Sequence, residues 1–542
     1  MSKISHVNYD IQFEPIFTNF IFNGTEIISL TTTPTDSFTL NAAELEINNC
    51  HLIYKGKTIK VKSSLNQKKE TLNIKASKKV SGKVKICIDF KGTLNDRLLG
   101  FYRSKYKDTS GKTKYLATTQ FEAADARRAF PCWDEPAIKA TFDVSLLVEK
   151  HMTAISNMPE KSKNNVNSKV LVEFQRTPIM STYLLYLGVG EFEFLQDKLR
   201  NIKIRVITTK GNKKKAKLSL ELTKKFLSEY EKYFGIKYPL PKLDMLAIPD
   251  FAAGAMENWG AITFRETILL YDPKTSSTRT KQYIAEVISH EIAHQWFGNL
   301  VTMKWWNDLW LNESFATFMA TKIVDRFYPE WDYWDQFLDD AMNTAMSLDS
   351  LKTSHPIDVN VNHPSEIREI FDSISYDKGG CILRMLEHFV GEKNFQKGLQ
   401  KYLTKHQYDN AQGSDLWNAI GQVSKQPIDK MMKTWINQVG FPLLEVKRDT
   451  STLTLKQSRF LLEGDKNPSK KTWSIPLVIE EGNQRMKKLM TKKSEKIHLK
   501  NKDRNFIINS GRTGFYRIQY DKETLENLSL LIDEKILDHV DR

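Results

Sequence analysis

The hydrophobic period of this chain changes twice, and those changes constrain its fold more than any other feature. Up to about residue 195, short runs alternate apolar and polar positions: YDIQFEP, GTEIISLTT, KVKICIDF, ATFDVSLLVE and TYLLYLGVGEFEF, separated by Asn, Gly, Pro and Lys-rich turns. A period of two is that of strands with one buried face. From about residue 215 the period becomes 3.6. KLSLELTKKFLSEYEKYFG predicts an amphipathic helix stopped by Gly235 and Pro239, and helical spacing then dominates to about residue 440, where Gly440 and Pro442 punctuate WINQVGFP. Alternation returns over 444–520 in LLEVKRD, TLTLKQSRF, SIPLVIEE, KIHLK and GFYRIQYD, and the last stretch, ETLENLSLLIDEKILDHVDR, reads as helical. The 542 residues are too many for one ordinary core, so several domains are expected.

Composition narrows the class. No secretory segment opens the chain and no apolar run is long enough to span a bilayer. The four cysteines, Cys50, Cys87, Cys132 and Cys381, lack CxxC spacing, which suits a reducing compartment and no Cys-based metal site. A soluble, cytoplasmic protein is expected, without membrane contact. The net charge of +15 raises nucleic acid as a partner. Yet residues 241–340 carry 8 Lys/Arg against 15 Asp/Glu, and the basic clusters (Lys210 to Lys217, Thr491 to Lys500) lack interleaved aromatics. These clusters read as solvated lysine faces, and no nucleic acid is expected.

Inside that acidic window lies SHEIAHQWFGN, Ser289 to Asn299. On a helix, positions i and i+4 lie one above the other, so His290 and His294 present imidazoles to one point. That is a clamp for zinc, with Glu291 placed to reach a water at the metal without being a ligand itself. Downstream, LNESFATF puts Glu313 on a second predicted helix that begins near Asn307 or Asp308 and stops at Pro329. Trp310, Leu311, Phe315 and Phe318 around it suggest burial, where an unpaired carboxylate is costly and a metal is its natural partner. Two neutral histidines and a carboxylate leave a fourth position open, the pattern of a catalytic zinc site.

HEIAH, eighteen residues and then Glu resembles the zinc aminopeptidases of the gluzincin group called the M1 family, the archaeal tricorn-interacting aminopeptidases in particular. GAMENWGAITFRE (Gly254 to Glu266) matches that family's exopeptidase signature, and TQFEAADARRAFPCWDEP (Thr119 to Pro136) and ISYDKGG (Ile374 to Gly380) match in the family's order. The resemblance implies a multidomain α+β chain: an N-terminal β domain (1–195), a thermolysin-like zinc catalytic domain (196–443), a small β-sandwich (444–522) and a helical stub (523–542). It implies one zinc ion held by His290, His294 and Glu313. It also implies that Glu291 acts as general base, that Tyr376 donates to the developing oxyanion, and that Glu257 with Glu122 binds the substrate's α-ammonium. Gly254, Ala255, Met256 and Asn258 complete the substrate-binding set, Gly254 and Ala255 offering backbone groups to an extended peptide. The expected reaction is hydrolysis of the N-terminal peptide bond of oligopeptides. Epoxide hydrolysis, an activity of one branch of the family, is a second enzymatic reading; a peptide-binding scaffold is disfavoured because every catalytic position is present.

Other positions read as structural. Trp296, Phe297, Trp305, Trp306 and Trp310 are expected in the core, His355, His388 and His406 have no partner at ligand spacing, and Cys132 reads as buried rather than nucleophilic. Two departures from the family pattern stand out. Ser314 follows Glu313 where many members have glycine, a change from which little is expected. In most members of that family a large helical domain follows a segment like VDR (Val540 to Arg542); the expectation here is a protein without it, with either a separate chain supplying it or self-association.

Overall fold

The computed structural model describes residues 4–464, 471–482, 484–500 and 505–542. They form two units. One takes in 1–232, 237–305 and 407–410; the other takes in 233–236, 306–406 and 411–542.

The first unit is built on three sheets. The largest has eight strands in the order Glu160–Val166, Lys169–Phe174, Thr141–Glu149, Ile4–Ile16, Ile21–Asn41, Thr71–Thr93, Glu46–Tyr54 and Lys57–Asn66. Ile4–Ile16 runs antiparallel to Ile21–Asn41 and parallel to Thr141–Glu149. Alternation sends Tyr9, Ile11 and Phe13 to one buried face, where Phe13 meets Phe22, Phe90, Phe101 and Phe130 edge-on. Glycine is needed beneath these rings: a Cβ on Gly24 would lie 2.2 Å from the Phe90 ring, and one on Gly92 2.2 Å from that of Phe22. The second sheet orders Gly100–Lys107, Thr113–Gln120, Leu187–Gly190 and Thr153–Ser156.

The third sheet positions the site. Its order is Phe192–Leu199, Ile202–Thr209, Lys242–Ile248, Ala261–Arg265 and Ala255–Met256, with parallel pairing in the middle. Lys242–Ile248 is buried along its whole length, as a central parallel strand is. Ala255–Met256 pairs antiparallel with Ala261–Arg265 and ends the sheet. The expected amphipathic helix is Lys217–Phe234. The run TYLLYLGVGEFEF is not one strand: a 3-10 turn at Thr182–Leu184 and two strands, Leu187–Gly190 and Phe192–Leu199, divide it between two sheets.

The second unit contains helices Trp310–Phe327, Gly379–Val390, Glu392–His406, Gly413–Ser424 and Ile428–Ile436, and aromatic contacts join the first, third and fourth of them. Trp310 stacks on Trp417 at 5.2 Å, and Phe315 and Phe318 both pack on Phe395. Two small sheets follow, one of four strands (Ser494–His498, Thr452–Arg459, Pro442–Asp449, Arg517–Tyr520) and one of three (Gln484–Met490, Ile475–Glu481, Phe506–Ile508). Helix Lys522–Asp533 comes last. The chain is thus multidomain α+β: an N-terminal β-rich region, a helix-rich middle with its own sheet, and further sheets. Among the described residues no helix is long and apolar enough to cross a membrane.

Candidate active site

HEIAH ends the helix Thr278–Ala293, which starts at Ser277, whose hydroxyl accepts from the Thr280 N–H. The helix buries Ile284, Ile288 and Ile292 completely, and the phenol of Tyr230 pairs with Ser289 at 3.0 Å. With that face fixed, the histidines fall on one side. Their Nε2 atoms stand 3.0 Å apart, and their ring centroids 4.7 Å. Buried His294 has its Nδ1 3.0 Å from the Phe297 carbonyl oxygen, which can only accept. That bond places the proton on Nδ1 and leaves the Nε2 lone pair facing His290, the tautomer a metal requires. His290 and His294 offer two imidazole nitrogens, and Glu313 offers a carboxylate oxygen, a group of residues that could hold a metal ion. Two nitrogens and one carboxylate oxygen are a donor set that suits zinc and leaves a fourth position for another ligand. Glu291, next along the helix, is buried.

Past the helix, the chain that makes the turn also holds the edge strand. Asn299, fully buried, donates its amide to the Glu257 carbonyl at 2.8 Å, and Gln295 donates to the same oxygen at 3.4 Å and to the Glu291 carbonyl at 2.9 Å. Glu257 and Asn258 are buried, and Asn258 donates to Thr263 Oγ1. Gly254 and Ala255 are partly exposed, and Met256 is buried with its sulfur 3.3 Å from the Gln120 amide nitrogen. Arg265 reaches back to the carbonyls of Phe251 and Ala252 and so fixes the loop entering GAMEN.

Glu122 follows the strand Thr113–Gln120, is half-buried and precedes a cis peptide bond to Ala123. The rest of its motif explains why the loop keeps its shape. Arg127 is buried and donates Nε to Asp134 at 2.9 Å; Arg128 pairs with Asp125 at 2.8 Å and with Glu70 at 3.0 Å. Cys132 is fully buried, and burial pushes its thiol well above the ordinary range, so it is inert as expected.

In the second unit, Glu313 lies in the first turn of Trp310–Phe327, behind a 3-10 turn at Trp306–Asp308. Asp308 accepts from the Gly413 N–H at 3.3 Å, and burial, with Asp358 nearby, raises its carboxyl to about 7. Tyr376 sits half-buried in a π-helical turn, Ile374–Lys378. That turn is anchored at both ends. Asp372 accepts the N–H groups of Ile374 and Ser375 on one carboxylate oxygen and meets His355 Nε2 at 2.8 Å on the other. The His355 imidazole is pulled up by this bond; burial raises Asp372, but His355 and the two N–H groups outweigh it and hold the carboxyl low. Behind the tyrosine, Lys378 pairs with Asp349 at 2.8 Å with both side chains fully buried.

Of the other residues expected to be structural, Trp296, Phe297, Trp306 and Trp310 are buried, while Trp305 is only half-buried. His406 lies 3.9 Å from Asp415, and His388, beside Arg485, is pushed down to about 4 by burial and its cationic neighbours. Sequence reasoning passed over Asn299, Gln295, Arg127, Asp134, Arg265 and the His355–Asp372 pair. All but that pair and Arg127's other partner, Glu70, sit inside or beside the quoted motifs, yet no spacing rule names what each of them touches.

Comparison with known proteins gives a consistent result. The peptidase M1 N-terminal domain model matches residues 5–184, and the peptidase family M1 domain model matches residues 218–435. A probable aminopeptidase 2 of Sulfurisphaera tokodaii is 43% identical over 543 residues, covering 99% of this chain and 66% of its own. The puromycin-sensitive aminopeptidase of Caenorhabditis elegans is 42% identical over 541 residues, 96% of this chain and 56% of its own. A leucyl aminopeptidase of Saccharolobus solfataricus is 46% identical over 434 residues, 80% of this chain and 54% of its own. The chain therefore spans between half and two thirds of the length of these curated relatives. Two domain models of one family, matched in order along most of the chain, together with relatives above 40% identity, show that it belongs to peptidase family M1.

Proposed function

We propose that the chain is a zinc-dependent aminopeptidase that removes the N-terminal residue from oligopeptides. The observation that carries the reading is the His290–His294 pair, its Nε2 atoms 3.0 Å apart and the His294 tautomer set by the Phe297 carbonyl, with Glu313 as the third donor of the set. One zinc ion per chain held there would acidify a water and polarise the scissile carbonyl.

The remaining steps belong to the chain's own side chains. Glu291 takes a proton from the attacking water as its oxygen bonds to the carbonyl carbon, then passes that proton to the amine nitrogen as the C–N bond breaks. The Tyr376 phenol donates to the carbonyl oxygen as it gains charge. Glu122 and Glu257 hold the α-ammonium, so only the first peptide bond falls at the reacting centre. The outer edge of Ala255–Met256, last in its sheet, suits an extended peptide backbone, with Gly254 allowing close approach and Asn258 supporting the strand. A family whose relatives are named aminopeptidases supports the same assignment.

We assign the functional layout as 1–195, 196–443, 444–522 and 523–542; the matches at 5–184 and 218–435 fall within the first two segments. A cytoplasmic setting is supported by four free cysteines, three of them buried. A panel of aminoacyl fluorogenic substrates, assayed before and after chelation and after zinc is restored, tests the function. Turnover that disappears on chelation and returns with zinc is expected. Undiminished turnover in chelator, or none on any aminoacyl substrate with zinc bound, overturns it.

A further inference from the structure

Ser314 adjoins Glu313, and its side chain is fully buried. Its hydroxyl donates to the main-chain carbonyl of Ser375 at 2.6 Å. Ser375 immediately precedes Tyr376, so this one bond joins the helix of a candidate metal ligand to the π-helical turn of the candidate oxyanion donor. Both residues belong to the same unit. The contact is enforced from the other side. A Cβ on Gly379 would lie 1.8 Å from Ser314 Oγ and 2.6 Å from Ser314 Cβ. Gly379 has ordinary helical backbone angles, so glycine is required there for space and not for conformation. The serine and the glycine therefore interlock, and the small difference from the family pattern at position 314 has a direct structural consequence.

We propose that Ser314 is a positioning residue for Tyr376: its hydroxyl, seated against Gly379, fixes the π-helical turn to the Glu313 helix and so sets where the phenol sits during turnover. The inference rests on the reading of Tyr376 as the oxyanion donor. A π-helical turn is a poorly favoured local geometry that needs support from its surroundings. Asp372 supports its start through the Ile374 and Ser375 N–H groups and Lys378 with Asp349 its end, while Ser314 takes the Ser375 carbonyl, the group bonded to the Tyr376 nitrogen.

The test is a double-mutant cycle on the zinc-loaded full chain, with Ser314→Ala, Tyr376→Phe and their combination. Ser314→Ala is expected to lower kcat about three- to tenfold, the size of one buried neutral hydrogen bond, with KM within about twofold of the parent. Metal content should stay close to the parent value, and Tm should fall only slightly, as the loss of one buried hydrogen bond requires. In the Tyr376→Phe background, Ser314→Ala should cost nothing further. Equal losses in both backgrounds, or parental kcat in Ser314→Ala while Tyr376→Phe is impaired, overturn the positioning role alone. Parental kcat in Tyr376→Phe instead removes the reading beneath it, and the positioning role with it. Interlocking has its own check by thermal unfolding. Gly379→Ala should lower Tm, and adding Ser314→Gly should restore it while kcat stays at the level of Ser314→Gly alone. A Gly379→Ala chain not rescued by Ser314→Gly contradicts the interlock.

Discussion

Replacing Asn299 by alanine tests whether the chain beyond the histidine helix positions the substrate's amino group. Asn299 makes the shorter of two hydrogen bonds to the Glu257 carbonyl, 2.8 Å against 3.4 Å from Gln295. Without it, that buried oxygen loses its shorter contact and keeps the long one from Gln295. A buried neutral hydrogen bond contributes about 1 kcal/mol net, and leaving its acceptor poorly satisfied adds about another. Part of that total falls on stability. If about 1 kcal/mol reaches the ammonium site, kcat/KM on a free-amine dipeptide substrate falls about fivefold. The loss should sit in KM more than in kcat, because Glu257 acts on binding before it acts on turnover. Steady-state kinetics of Asn299→Ala, Glu257→Ala and the double variant measure it. In the Glu257→Ala background, Asn299→Ala should cost less than twofold in kcat/KM. A full fivefold loss in both backgrounds refutes positioning through Glu257.

Three further outcomes follow from the same geometry. Asp308, raised to about 7 by burial from an ordinary value of 3.8, favours the folded state while protonated. Its contribution is complete below about pH 4 and is lost as pH rises to about 7, up to about 4 kcal/mol, so Asp308→Asn should have a higher Tm than the parent at pH 8 and a similar one at pH 4. Acetylating the substrate's N-terminus should abolish cleavage, since Glu122 and Glu257 lose their cationic partner; rapid cleavage of acetylated peptides, followed by mass spectrometry, contradicts that. His290→Ala should lose most bound zinc by elemental analysis, because one ligand of three is removed and His294 loses its neighbour at 3.0 Å; full retention of zinc argues against the ligand set.

Local chemistry was legible in the sequence and non-local support was not. HEIAH is readable because its geometry is one helical turn, and Glu313 because its helix carries a run of buried aromatics around one carboxylate. The long alternating strands were equally clear, since one buried face leaves a period of two. TYLLYLGVGEFEF misled because a backbone turn at Thr182–Leu184 and a change of sheet at Gly190 leave no mark on hydrophobic alternation. The π-helical turn of Tyr376 has no periodic signature at all. His355 lacked a partner at any ligand spacing, and its actual partner is Asp372, seventeen residues away. Arg127 shows the same limit: Asp134 lies seven residues off within one motif, but its other partner, Glu70, is fifty-seven residues back. Trp305, half-buried among buried neighbours, shows that an aromatic run does not assign burial residue by residue.

The most direct test of the catalytic assignment is Glu291→Gln, with zinc content and kcat measured on the same sample. Glutamine keeps the size of the buried side chain and removes only its capacity to carry a proton between water and leaving amine. The expected result is about one zinc per chain with kcat lowered roughly 10²- to 10⁴-fold, the range for a lost general base. Zinc retained with near-parental kcat would contradict the role of Glu291 and the mechanism built on it.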